Sequence, residues 1–320
     1  SSFVWRIPPT RNLGPLANDA AAMAMVKDAD LDGRTFDAFM RDAQTWSDIY
    51  GHCWIIVDKP KSNAKTRADE LDQEIRPYVS ILTPENVLDW KYERAASGRY
   101  ILTYLKVREM RDEDQDISVI TEWNMEEIIT YRTNGDKVTG LNQMANPLGK
   151  IPAVPLYGQR SPIKGIGVSS ISDIARMQQA IYNELSEIEQ LIRISNHPSL
   201  VKTESTDASA GAGGVITVPD DEIIKPYLLQ PTGANLNAIM ESIKAKTESI
   251  NRMSHMGAVR GSEALTMSGV ALQSEFQLLN AKLSEKADLL ELAEEQIWDL
   301  FCQWQGVNNE IEIDYADSFD

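Results

Sequence analysis

Leu236–Met253 (LNAIMESIKAKTESINRM) and Gly269–Trp304 (GVALQSEFQLLNAKLSEKADLLELAEEQIWDLFCQW) decide the fold. The first run places apolar residues at Leu236, Ile239, Met240, Ile243, Ile250 and Met253. The second places them at Leu272, Phe276, Leu279, Leu283, Ala287, Leu290, Ile297, Phe301 and Trp304. Spacings of three and four residues put one apolar stripe on each helix. At the helical rise, the second run extends about 50 Å. Gly257–Ser268, rich in small residues, joins the two. Few compact enzymes need such a helix, whereas a protein that spans something or packs on its own copies does.

Working outward, residues 17–50 read as helix. An Ala/Met run near Ala20–Val26 is followed by an Asp-rich turn, with Thr35 as N-cap for Phe36–Tyr50. Residues 53–160 switch to a strand pattern. Cys53–Val57 is a short apolar run, and Lys61–Glu74 is a charged insertion. Tyr78–Leu82, Val87–Tyr92, Tyr100–Val107, Ile117–Trp123, Ile128–Arg132 and Val138–Leu141 are separated by turns such as Ala96-Ser97-Gly98 and Asn134-Gly135-Asp136. This predicts one meandering antiparallel sheet, which Pro147–Leu156 leaves in extended conformation. Ile171, Ile174, Met177, Ile181, Leu185, Ile188 and Ile192 form another helical stripe. Ser199–Thr203 and Val215–Val218 read as short strands around a Gly/Ala/Ser loop, followed by Ile223–Leu229. The fold class expected is α+β.

The 320 residues carry 31 basic and 48 acidic side chains, a formal charge of −17. This opposes tight nucleic-acid gripping, which needs clustered Lys and Arg. It suits a soluble surface, or one past which nucleic acid slides. Cys53 and Cys302 both sit in apolar runs and read as buried free thiols, favouring a reducing compartment. No run of about 18 apolar residues spans a bilayer, and no signal peptide is visible. The abrupt start at Ser1-Ser2-Phe3 reads as a piece of something longer.

Catalytic and metal motifs are weak. Gly211-Ala212-Gly213-Gly214 leads into a strand-like VITV rather than a helix, so it lacks the amide-lined helix N-terminus that holds phosphate. Gly165-Ile166-Gly167 lacks the third glycine of a dinucleotide fingerprint. Asp28-Ala29-Asp30-Leu31-Asp32-Gly33 matches half an EF-hand loop, but Phe39 stands where a bidentate carboxylate belongs. Asp112-Glu113-Asp114-Gln115-Asp116 reads as a solvated hairpin tip. His52, His197 and His255 lie far apart without metal-ligand spacing. No catalytic residue, metal ligand or cofactor is therefore assigned. Lys244, Lys246 and Arg252 alternate with Glu241 and Glu248. That pattern is either a solvated face or, repeated around a ring, alternating bands that brush phosphates.

Several segments together resemble the portal (head-to-tail connector) proteins of tailed bacteriophages. They are Thr45–Asp58 (TWSDIYGHCWIIVD), Tyr78–Trp90 (YVSILTPENVLDW), Ile151–Tyr157 (IPAVPLY), Ile171–Ile174 opening a helix that contains Tyr182-Asn183, and Met267–Leu272 (MSGVAL). The resemblance implies a portal-like fold: long stem and wing helices, an antiparallel wing sheet and a small α/β clip module. Residues 1–160 would be wing, 161–196 a stem helix, 197–233 the clip and 234–256 a second stem helix. Residues 257–268 would be the tunnel loop, 269–306 a long wing helix and 307–320 the start of a crown or return strand.

The function implied is a ring, usually dodecameric, at one capsid vertex. It is the channel for DNA packaging and ejection, assembled in the host cytoplasm and resident in the virion. The partners implied are double-stranded DNA passing non-specifically, the terminase, a tail adaptor, and the major capsid and scaffolding proteins, with no membrane. Gly257, Ala258, Val259, Arg260, Gly261, Ser262, Glu263 and Thr266 would face DNA in the tunnel loop. Lys244, Lys246 and Arg252 would line the channel. Lys202, Thr203, Glu204, Ser205, Asp220, Asp221 and Glu222 would dock partners at the clip. A ring scaffold without a DNA channel, or a metal-dependent nuclease or hydrolase whose carboxylates meet only in three dimensions, are the alternatives.

Overall fold

A computed structural model describes residues 3–61, 64, 66–112, 117–134, 137–197, 199–209, 214–220, 225–229, 233–254 and 269–319. The tunnel-loop candidates Gly257–Thr266, together with Asp221, Glu222, His255 and Gly211–Gly213, lie outside these residues. The chain divides into two compact units, Ser1–Ile171 with Asn280–Asp320, and Ser172–Leu279.

The first unit begins with capped helices. The Asp19 carboxylate accepts from the Ala22 amide at 3.0 Å and starts α1 (Ala20–Lys27). The Thr35 hydroxyl accepts from the Ala38 amide at 3.3 Å and starts α2 (Phe36–Tyr50), satisfying amides that lack an intrahelical partner. The chain then enters β2 (His52–Asp58), where every residue from His52 to Val57 is buried. Its alternation serves two cores. Trp54 and Ile56 join Leu105, Val107, Trp123, Ile128 and Ile151. Cys53 faces the other way, its thiol donating to the Ala43 carbonyl of α2 at 3.3 Å.

The strand pattern resolves into two sheets. β2 lies between β3 (Tyr78–Leu82) and β9 (Ala153–Tyr157), antiparallel to both, with Trp54 opposite Leu82 and Pro155. The expected single meander is therefore corrected, and so is the exit of Pro147–Leu156 from the sheet. The five strands β4 (Val87–Arg94), β5 (Tyr100–Asp112), β6 (Ile117–Asn124), β7 (Glu127–Asn134) and β8 (Lys137–Ala145) form an antiparallel meander of their own. The charged insertion contains a short helix, α3 (Arg67–Asp72). β1 (Thr10–Asn12) pairs antiparallel with β13 (Glu312–Asp314).

In the second unit, α4 (Ser172–Asn196) and α5 (Gly233–Met253) flank a small sheet. There β10 (Ser199–Thr203) lies between the parallel β11 (Val215–Val218) and the antiparallel β12 (Tyr227–Leu229). Few side chains are buried: Ile181 on α4, Val201 and Thr203 on β10, and none of the described ones on α5.

The portal-like architecture of long stem and wing helices is overturned. The chain is an α+β fold of 42% helix and 30% strand with a five-stranded antiparallel sheet and, among the described residues, six α-helices. The physical reason lies in α6 (Gly269–Gln305). Its stripe called for a neighbouring copy, yet Leu283, Ala287, Leu290, Ile297 and Phe301 are buried by the chain's own first unit. Trp298 packs on Phe36 of α2 with ring centroids 5.4 Å apart. Trp304 donates to the Val57 carbonyl at 2.8 Å. α6 is thus a core helix from Leu283 onward rather than a free strut. The expected α/β clip is likewise a three-stranded sheet whose described residues contain no helix.

Candidate functional site

The helical pair of the second unit holds the three basic candidates. Glu184 of α4 accepts from Lys246, in a close ion pair, and from the Ser242 hydroxyl at 2.9 Å. Lys246 foremost, then Ser242, hold the Glu184 carboxyl below its ordinary range. Lys246 is therefore a strut between α4 and α5. Lys244 and Arg252 remain exposed with no carboxylate partner among the described residues. Glu248 lies four residues from each, so the three form one row of alternating sign on α5.

The apolar stripe of α4 is only half covered. On that stripe Ile181 is buried while Leu185 and Ile192 are exposed; off it, Tyr182 (68% exposed) and Ile194 are exposed too, as is Met240 of α5. Isolated exposed apolar residues are ordinary, whereas clusters along one helix pair mark an interaction surface.

At the small sheet, the docking candidates largely satisfy one another. Thr203 is buried and shares a 2.7 Å hydroxyl contact with Thr206. Asp220 accepts from the Ser205 amide at 3.0 Å and its hydroxyl at 2.8 Å. The amide first, then the hydroxyl, hold the Asp220 carboxyl below its ordinary range. Lys202 is half-buried and Glu204 is exposed. The residues the sequence did not single out are apolar: Val215 and Ile216 on β11, and Tyr227, Leu228 and Leu229 on β12, all exposed. Their signal was the VITV and YLL runs on strands too short to have two covered faces.

The weak motifs resolve into structural roles. Asp28 accepts from the Gly33 amide at 2.9 Å and pairs with Arg76. Asp30 accepts from the Asp32 amide at 3.1 Å and pairs with Arg34. The half EF-hand is thus filled by amides and guanidinium groups. His52 is buried and accepts from the Gly167 amide at 3.4 Å, and burial lowers its pKa. The glycines of Gly165-Ile166-Gly167 serve packing. A Cβ on Gly165, at φ +81°, would sit 2.4 Å from the Trp90 indole nitrogen, and one on Gly167 would sit 2.0 Å from the Gly51 carbonyl oxygen. Burial pushes the Cys53 thiol up to about 12 and, with Asp299, that of Cys302 to about 11, leaving both unreactive near neutrality. Among the described residues, no group of three or more His, Cys, Asp or Glu is placed to hold a metal ion.

One polar cluster escaped the sequence reading. Glu294, on the buried face of α6, is fully buried. It accepts from Arg11 at 3.1 Å, from the Tyr315 hydroxyl at 2.7 Å and from the Trp298 indole at 3.3 Å. Arg11 also pairs with Asp37 at 2.5 Å. Burial works against the Arg11 charge, but Glu294 and Asp37 more than offset it and raise its pKa. The local signal was the spacing of Glu294, four residues after Leu290 and three before Ile297, which puts it on the apolar stripe's own face, unlike Glu291 and Glu295. No family model matches this chain, and no curated protein sequence does.

Proposed function

We propose that this chain is the subunit of a portal ring at one vertex of a tailed-phage capsid, the non-enzymatic channel through which DNA is packaged and ejected. The observation that supports it most is the half-covered α4–α5 pair. Tyr182, Leu185, Ile192, Ile194 and Met240 are left exposed on a unit in which few of the described side chains are buried. A heterologous contact, repeated around a closed ring, buries such a surface without leaving free ends. The alternating row Lys244–Glu248–Arg252 and the net charge of −17 favour low adhesion to a polyanion. The work of translocation then falls to a separate terminase ATPase, which docks before the tail adaptor at the exposed apolar strands β11 and β12. The capsid and scaffolding proteins complete the partner set, and the assembled ring resides in the virion.

Electron microscopy and sedimentation of the purified protein test this. Closed rings are expected, with an axial hole wide enough for B-DNA, whose grooves alone measure about 12 and 6 Å across. A stable monomer rules the proposal out, and a ring with no such hole favours a scaffold without a DNA channel. Deleting Gly257–Ser268 is expected to leave rings intact and impair DNA packaging or retention.

A further inference from the structure

Within the first unit, a cleft of about 740 Å³ opens between the β4–β5 hairpin, the segment Arg160–Lys164 and α6. Its floor is apolar, with Leu102, Val154 and Leu300 buried. Its mouth is apolar too, and exposed: Tyr100, Ile163 and Leu292 stand at the rim. Three cations share that rim, Arg99, Arg160 and Lys164, each exposed and without a carboxylate partner among the described residues. The acid in the lining, Asp299, is already bound to Lys150 at 3.2 Å and to Gln303 at 2.7 Å. In a chain of charge −17, the rim therefore runs against the overall sign.

The wall that carries two of these cations is fixed in place. The Gly165 amide donates to the Tyr157 hydroxyl at 3.1 Å, and the Trp90 indole donates to the Lys164 carbonyl at 3.1 Å. Lys164 lies over the Tyr100 ring at 5.8 Å. A preformed cleft of this size falls within the range of about 300–1,000 Å³ typical of ligand sites. Phosphate alone would use the cations but leave the apolar mouth unfilled. A purely apolar ligand would leave three cations unanswered. A peptide uses both, with a large apolar side chain in the cleft and carboxylates on the rim.

We propose that this cleft docks an acidic segment of a partner protein, anchored by one large apolar side chain between Tyr100, Ile163 and Leu292 and flanked by carboxylates on Arg99, Arg160 and Lys164. This rests on no part of the ring reading.

Fluorescence anisotropy on the full chain tests it with the labelled peptide EDDLFDEE, against KKRLFRKK, the anchorless EDDGSDEE and a short single-stranded DNA. EDDLFDEE should bind alone, and added salt should weaken it. The double variant Arg99→Glu with Lys164→Glu should lower its affinity at least about tenfold, as loss of charge-assisted contacts predicts. Leu292→Ser should lower it independently, with both variants unchanged in melting temperature. The proposal is overturned if KKRLFRKK or EDDGSDEE binds as well, if only DNA binds, or if neither variant changes binding. It is also overturned if the charge-reversal variant sediments with lost self-association, which would make the occupant a second copy.

Discussion

Replacing Glu294 by Leu would remove the acceptor of three donors at once and strand the Arg11 guanidinium, whose side chain is 13% exposed, with Asp37 alone. Breaking a buried pair from one side costs about 3–5 kcal/mol, because the partner's charge stays buried without compensation. For a unit of this size, each kcal/mol shifts the melting temperature by roughly 2–4 °C, so a fall of about 6–20 °C is expected. Glu294→Gln keeps an acceptor for Tyr315 and Trp298 and should cost less, about 1–3 kcal/mol. Adding Arg11→Met to Glu294→Leu should recover much of the loss, because an apolar pair of similar volume replaces the buried charges. Calorimetry and urea unfolding of the parent, Glu294→Leu, Arg11→Met and the double variant measure this cycle. A loss under about 1 kcal/mol in Glu294→Leu, or simple additivity in the double variant, would refute the reasoning.

Gly165→Ala should destabilise by about 1–3 kcal/mol, from the positive φ and the clash with Trp90, and its thermal melt should show it. Because burial lowers the folded pKa of His52, the unfolded chain binds its proton first as pH falls. Stability should then decline below about pH 6.5 and level off below the folded pKa. In His52→Asn, urea midpoints at pH 7.5 and 5.5 should differ less than in the parent. Leu185→Asp with Ile192→Asp, both at exposed sites of α4, should leave the melting temperature nearly unchanged and abolish self-association in sedimentation; an unaffected assembly would remove the main support for a ring.

Local chemistry was readable in the sequence. Thr35 caps α2 where its side-chain oxygen predicts it, and Ala96-Ser97-Gly98 turns β4 into β5. The cover for a stripe was not readable. Periodicity says that Leu283, Leu290, Ile297 and Phe301 need a partner surface, but it is silent on whether that surface belongs to the same chain. Here α2 supplies part of it, through Phe36 against Trp298. Pairings distant in sequence were invisible for the same reason, such as β2 with β9 and Arg11 with Glu294. The candidate row on α5 was legible in spacing, yet the loss of Lys246 to Glu184 was not, since no local pattern announces a partner on another helix.

The pairing of β1 with β13, beside the Arg11–Glu294 contact, sets a clock for biosynthesis. Ribosomes add about 5–20 residues per second, so β1 waits roughly 15–60 s for its partner strand to be made. Throughout that interval Arg11 has no buried carboxylate on α6 to meet, and the backbone of β1 is an open edge. The first unit can reach its native state only after translation has passed Asp314, which makes nascent chains halted before that point substrates for holding chaperones.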